Sequence, residues 1–274
     1  MALTTIDKPT LNAVAQGLAQ LWAIEAKGFS PDGNVLLIKV VYSDDAYPSL
    51  PTRSAFWTYD LVRGQYLACV NGLISSDRAI EVTDVEISNF AGQTQLIATY
   101  RDMQAESGLD LNLNQLALIR NGALVAGDLV AQVSGNQADA LISAVKATAD
   151  GRFVAIETAA SNLADGLDAN ASKDIYVFDL VLNSSRLITM SNGAESHFDS
   201  VLGDIMVGGD GSLSIAFQSA QAFTTQDANA ADDVFLWHLP QASLASGAGG
   251  LNARPLPERR NRGCADFSDA ASRD

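Results

Sequence analysis

Along most of the chain, short apolar runs alternate with polar, turn-forming clusters at intervals too short for long helices. The exception is the start. Within residues 10–22, Leu11, Val14, Ala15, Leu18, Leu21 and Trp22 recur at the spacing of one helical face, and Thr10 follows Pro9 as a capping residue. This pattern predicts a short amphipathic helical segment in residues 1–21, packed across one end of the molecule. From Trp22 onward the apolar runs are short and β-rich, bounded by Asp-Gly, Asn-Ser and Pro-containing turns.

The turns and strands repeat. Ala149-Asp150-Gly151-Arg152-Phe153-Val154 is echoed by Gly209-Asp210-Gly211-Ser212-Leu213-Ser214, and Asp168-Ala169-Asn170-Ala171 by Asp227-Ala228-Asn229-Ala230. Asp174-Ile175-Tyr176-Val177-Phe178 returns as Asp233-Val234-Phe235-Leu236-Trp237. The offsets are 60, 59 and 59 residues. Asp32-Gly33 lies 118 residues before Asp150-Gly151, and Tyr59-Asp60-Leu61 lies 119 before Phe178-Asp179-Leu180, two periods in each case. The intermediate unit keeps Ala91-Gly92 in the turn and Asp110-Leu111-Asn112 in the loop, but has lost the aspartate of Asp-Gly. Four units result, at about 22–75, 80–130, 140–191 and 200–240.

Each unit has room for four strands. In the third they are expected at 142–146, 153–157, 175–179 and 186–190, with Asp150-Gly151 turning the first pair and Val181-Leu182-Asn183-Ser184 the last. An all-β, propeller-like array of four four-stranded blades is the expected fold, because such units bury their faces only by stacking on neighbours. Ser30-Pro31-Asp32-Gly33 followed by an apolar strand, and Asp174-Ile175-Tyr176-Val177-Phe178-Asp179-Leu180, resemble the repeats of TolB-type β-propellers over roughly residues 22–240. The resemblance implies a bacterial propeller, a binding role, and no particular catalytic residues. It also implies an extracellular or cell-surface setting, with a cytoplasmic one left open. Such propellers usually have more than four blades, so ring closure is expected to need another chain or further blades. Residues 241–274 read as a tail or linker.

Composition narrows the partners. The 274 residues carry a formal charge of −15, which repels phosphate backbones and makes nucleic acid an unsuitable ligand. No run approaches the roughly 18 apolar residues of a membrane-spanning helix, and no signal peptide is evident at the start. Cys69 and Cys264 form neither a disulfide framework nor a Cys-x-x-Cys metal motif.

The candidate chemistry is sparse. Asp168, Asn170 and Asp174, with their counterparts Asp227, Asn229 and Asp233, place oxygen ligands at alternating loop positions, as Ca²⁺ requires. Position five of that loop is Ser172 or Ala231, however, and no bidentate glutamate follows, so the same residues also suit Asx turns. His197, beside Ser196, and His238 are the two histidines, and no nucleophile elbow accompanies them. Asp44, Asp45, Glu157, Glu195 and Asp199 are acids without distinguishing context. Trp57, Tyr176 and Phe235 are expected on one face of the third strands and Tyr59, Phe178 and Trp237 on the other, as blade-to-blade packing or, less simply, a carbohydrate platform. The reading is a non-catalytic binding or scaffold module for a protein or carbohydrate partner, with Ca²⁺ as a candidate stabilising ion and a larger surface or secreted protein as its context. A propeller-fold hydrolase or lyase with a site at the ring axis is the alternative.

Overall fold

The computed structural model describes residues 20–43, 53–71, 80–102, 114–120, 123–128, 138–163, 168–191, 194–224 and 231–241. The described chain is all-β, in a succession of antiparallel sheets. The first contains β1 (Gln20–Phe29), β2 (Val35–Ser43), β3 (Arg53–Asp60) and β4 (Gln65–Asn71), side by side in chain order. The second contains β5 (Ile80–Phe90), β6 (Gln93–Asp102), β7 (Asn114–Arg120) and β8 (Ala123–Asp128) in the same order. The third contains β9 (Ile142–Ala147), β10 (Phe153–Thr158), β11 (Asp174–Asp179) and β12 (Ser184–Leu187). A small hairpin, β13 (Met190–Ser191) with β14 (Ala194–Glu195), leads to the fourth sheet: β15 (Ser200–Val207), β16 (Leu213–Ser219) and β17 (Asp233–Leu239).

Gln20, Leu21 and Trp22 open β1 rather than closing a helix: Gln20 and Leu21 pair with Ser43 and Tyr42 of β2, and Trp22 falls at the bulge that follows. The rest of the expected helical segment, and the tail after Gln241, lie outside the described residues.

The Asp-Gly turns show why the period is visible in the sequence. Ser30 Oγ donates to Asp32 at 2.5 Å and receives Val35 N–H at 2.9 Å; Thr148 Oγ1 donates to Asp150 at 2.5 Å and receives Phe153 N–H at 3.0 Å. In the fourth unit Gly208 has no hydroxyl, and Ser212 Oγ supplies the bond to Asp210 at 2.6 Å instead. These hydroxyl bonds hold Asp32 and Asp210 below the usual carboxylate range. Gly33, Gly151 and Gly211 take φ of 72°, 68° and 76°, the left-handed region where a Cβ is strained.

The second unit dropped its aspartate because it changed turn class. Ala91 and Gly92, with φ of 51° and 80°, form a two-residue hairpin in which both central residues are left-handed. Alanine is a poor choice there. Ala91→Asn is expected to raise stability by about 0.5–1 kcal/mol, read as a higher urea midpoint; an unchanged midpoint would contradict the strain.

A second repeated device joins the third and fourth strands. Asp60 receives the N–H groups of Val62 and Arg63, both at 2.8 Å, and Asp179 those of Val181 and Leu182 at 2.9 and 3.1 Å. Left-handed Gly64 and Asn183 complete the two turns. His238 stands where the repeat places this aspartate in unit four, and it offers no carboxylate to those amides.

Successive sheets pack through apolar faces. Val35, Leu37 and Phe56 of the first sheet meet Val82, Val85, Leu96 and Ala98 of the second. Ile97 and Leu116 of the second meet Val145, Val154, Ile156, Tyr176 and Phe178 of the third. Phe153, Ala155, Ile175 and Val177, on the third sheet's other face, meet Leu202, Ile205, Leu213, Ile215 and Phe217 of the fourth, with Phe235 and Trp237 packed alongside. The aromatic residues therefore pair differently from expectation. Residues two apart on a strand share a face, so Tyr176 goes with Phe178, Phe235 with Trp237, and Trp57 with Tyr59.

Polar ties reinforce these contacts. Asn89 N–H donates to Ala149 C=O at 3.0 Å, and buried Gln95 Nε2 donates to Gly151 C=O at 3.2 Å, seating the third unit's turn on the second sheet. Lys146 pairs with Glu86 at 3.6 Å across the same junction, where burial raises the Glu86 carboxyl above its ordinary range. Glu157 on β10 receives Leu202 N–H on β15 at 2.9 Å, linking sheets three and four.

Candidate interaction face

The surface that stands out is built from the fourth sheet. Its inner rows are apolar and covered by sheet three. Its outer rows are reached by alternation: Val234, Leu236 and His238 on β17, Ser214, Ala216 and Gln218 on β16. On β15 the alternation is interrupted between Leu202 and Asp204, where Gly203 sits against Ala216 C=O, 2.9 Å from where a Cβ would stand. This bulge keeps Leu202 and Ile205 both inward and leaves Val201, Asp204 and Met206 outward. Val234 is 79% exposed, Leu236 69%, Met206 60% and Val201 51%. Scattered exposed apolar residues are ordinary, but four share this one sheet face, with Asp204 between Val201 and Met206 and the Ser214, Ala216 and Gln218 row between the two outer strands.

The bulge is itself part of the repeat. Val82/Asp84 in the second sheet shows the same shift, 120 residues earlier, and in both places the aspartate accepts the next residue's N–H, from Val85 at 3.0 Å and Ile205 at 2.9 Å. The sequence reading missed it, although Asp84-Val85 and Asp204-Ile205 in register were a usable signal.

No protein-family model matches this chain, and no curated protein matches it either.

The residues singled out for chemistry are spread over several places. Asp168 and Asp174 are buried in the third unit. Tyr176 OH donates to Asp168, and Thr189 Oγ1 to Asp174; Asn170 Nδ2 reaches Asp174 at 3.2 Å and Ser196 C=O at 2.8 Å, while its Oδ1 accepts Ser172 N–H. Burial first, and the bond to Asp168 second, push the Tyr176 phenol up. A cation at this loop would compete with the Tyr176 and Thr189 protons for the carboxylates. Asp227 and Asn229 lie outside the described residues, and Asp233 opens β17.

Ser196 and His197 do not act as a pair. Ser196 Oγ is engaged with Phe198 C=O at 2.8 Å and Phe198 N–H at 3.2 Å, and exposed His197 bonds Gln221 through its backbone N–H. His238 Nδ1 does meet a serine, Ser214 Oγ, at 3.1 Å. That contact joins neighbouring strands on an open sheet face, and its evident effect is to tie β16 to β17. Of the acids without sequence context, Glu157 is buried: it also receives Ser143 Oγ at 2.7 Å and Lys173 Nζ at 3.1 Å. Its three donors are all protein groups, which gives it a structural task. Among the described residues no helix is long and apolar enough to cross a membrane.

Proposed function

We propose that this chain is a non-catalytic binding or scaffolding module of β-propeller type. The observation that carries the reading is the outer face of the fourth sheet, where Val201, Met206, Val234 and Leu236 face water together. Exposed apolar residues gathered on one face of a folded sheet favour association, since covering them removes apolar area from water at about 25 cal/mol per Å². The succession of antiparallel sheets packed face to face supports the propeller-type part. A place within a larger surface or secreted protein rests on the TolB-type resemblance alone, and Ca²⁺ at Asp168, Asn170 and Asp174 on residue type alone.

A neutral, polarity-sensitive dye tests the reading without naming a partner. Native chain at low concentration is expected to enhance its fluorescence, and the Val234→Ser/Leu236→Ser double variant to lose at least about half of the enhancement. Equal enhancement by the variant would remove the face from consideration.

A further inference from the structure

We infer that the free edge of the fourth sheet, along β17, takes up an extended, non-acidic peptide of another polypeptide as a fourth antiparallel strand. The inference deepens the binding-module reading and rests on it.

In the first three sheets the third strand has a neighbour on both sides: β3 lies between β2 and β4, β7 between β6 and β8, and β11 between β10 and β12. β17 is the corresponding strand of the fourth sheet, and among the described residues it pairs with β16 alone. The end strands β1, β5, β9 and β15, and β4, β8 and β12, are ends by the plan of the repeat. β17 is an edge where that plan supplies a neighbour.

The sequence shows why the neighbour is missing. In the third unit the turn into the fourth strand needs Asp179 as acceptor, the N–H of Val181 as donor at 2.9 Å, and left-handed Asn183. The first unit uses Asp60, Val62 N–H at 2.8 Å and left-handed Gly64 in the same way. In the second unit Asn121-Gly122 stands between the paired residues Arg120 and Ala123. In the fourth unit, 59 residues after the third, the same places hold His238, Pro240 and Ala242. Histidine offers no carboxylate, proline no N–H, and alanine disfavours the left-handed conformation. The stretch 242–250 that follows contains no β-branched or aromatic residue, so it lacks the composition of a strand. The place is therefore left to another chain.

The third unit also shows what the edge offers. Ile175 N–H donates to Thr189 Oγ1 at 3.2 Å, and its C=O receives Ile188 N–H at 2.8 Å, so its backbone groups point to the fourth-strand side. By alternation Val177 and Asp179 point the same way. Their counterparts Val234, Leu236 and His238 direct three N–H and three C=O groups to the open side of β17, a template for an added strand. The register fixes the side chains such a strand needs. Leu187, opposite Tyr176, is 3% exposed, and exposed Arg186 stands opposite Val177. A peptide on β17 thus sets an apolar residue opposite Phe235 and its neighbour beside exposed Leu236. The chain's charge of −15, with Asp232 and Asp233 at the start of the strand, disfavours an acidic peptide and favours one carrying Lys or Arg.

An end-blocked synthetic peptide with the sequence of residues 184–190, the third unit's own fourth strand, is the probe. Titrated into the full chain, it is expected to bind with a Kd of about 10–500 µM, more weakly as salt is raised. Amide hydrogen exchange at Val234, Leu236 and His238 should slow at least about tenfold at saturation. The same peptide N-methylated at its Arg186 and Ile188 positions, whose amides face the receiving strand, should bind at least about tenfold more weakly. Leu236→Pro removes an edge-facing N–H, is compatible with an edge strand, and should weaken the unmodified peptide equally. The N-methyl comparison uses the native chain and so stands even if this variant does not fold. Equal binding of the two peptides, or no slowing at the three amides, would overturn the inference. Full protection of these amides in the free chain would also overturn it, by showing that the chain or a second copy already fills the edge. A chain that enhances the neutral dye but binds no peptide loses this inference and keeps the binding-module reading; a chain that does neither loses both.

Discussion

Glu157→Ala is expected to lower the unfolding free energy by about 3–4 kcal/mol, a loss few single substitutions on this chain should match. The side chain is 4% exposed and its carboxylate answers three donors: Ser143 Oγ, Lys173 Nζ and the backbone N–H of Leu202. Leu202 is itself buried in the fourth sheet, so its amide cannot turn to water when the acceptor is removed. The Lys173 ammonium is 44% exposed and can rehydrate. Most of the cost thus falls on the junction between sheets three and four, and Lys173→Met should cost only about 0–1 kcal/mol. Glu157→Gln keeps the shape and one acceptor but loses the charge, and should fall between, near about 1–2 kcal/mol. Urea unfolding ranks the three variants. Hydrogen exchange at Leu202 gives the local readout: its protection should drop in Glu157→Ala and persist in Lys173→Met. A loss below about 1 kcal/mol in Glu157→Ala would mean that the junction does not depend on this carboxylate.

The second large effect comes from comparing glycines that share a backbone conformation and differ in surroundings. Gly33 and Gly151 both sit in left-handed turns, with φ of 72° and 68°. A Cβ at Gly33 would meet nothing within 4 Å. At Gly151 it would stand 3.0 Å from Gln95 Nε2, 3.1 Å from Ser88 Oγ and 3.3 Å from the Asn89 carbonyl oxygen, all on the second sheet. Gly33→Ala should therefore cost about 1 kcal/mol, from conformation alone. Gly151→Ala should cost about 2–4 kcal/mol, because the turn must also lift from the sheet and disturb the bonds of Gln95 and Asn89. Equal costs in urea titrations of the two variants would show that the turn is not seated as described.

These two residues mark the boundary of what the sequence discloses. The period, the turns and the strands were readable because each rests on local chemistry: a hydroxyl-aspartate-glycine turn, an aspartate collecting two amides, an apolar run. In the third unit the strands expected at 153–157 and 175–179 appear as Phe153–Thr158 and Asp174–Asp179. Glu157 looked like any other acid, because what distinguishes it is Leu202 N–H, 45 residues away. Gln95 was overlooked for the same reason, its carbonyl partner being 56 residues on. The predicted helix failed at its end because helical spacing is local, whereas Gln20 and Leu21 pair with Ser43 and Tyr42 of β2. The face now proposed for association was invisible as such: Val234 and Leu236 read as core, as Ile175 and Val177 are, and only the third dimension leaves them in water.

The arrangement of the third sheet bears on how the molecule comes apart. β10 and β11 are buried along their whole length, clasped by a neighbour on either side. Among the described residues, the fourth sheet has a neighbour on one side. In a series held by contacts between adjacent members, cooperativity is a property of junctions rather than of the whole, so denaturation should proceed inward from the less-clasped end and reach residues 153–158 and 174–179 late.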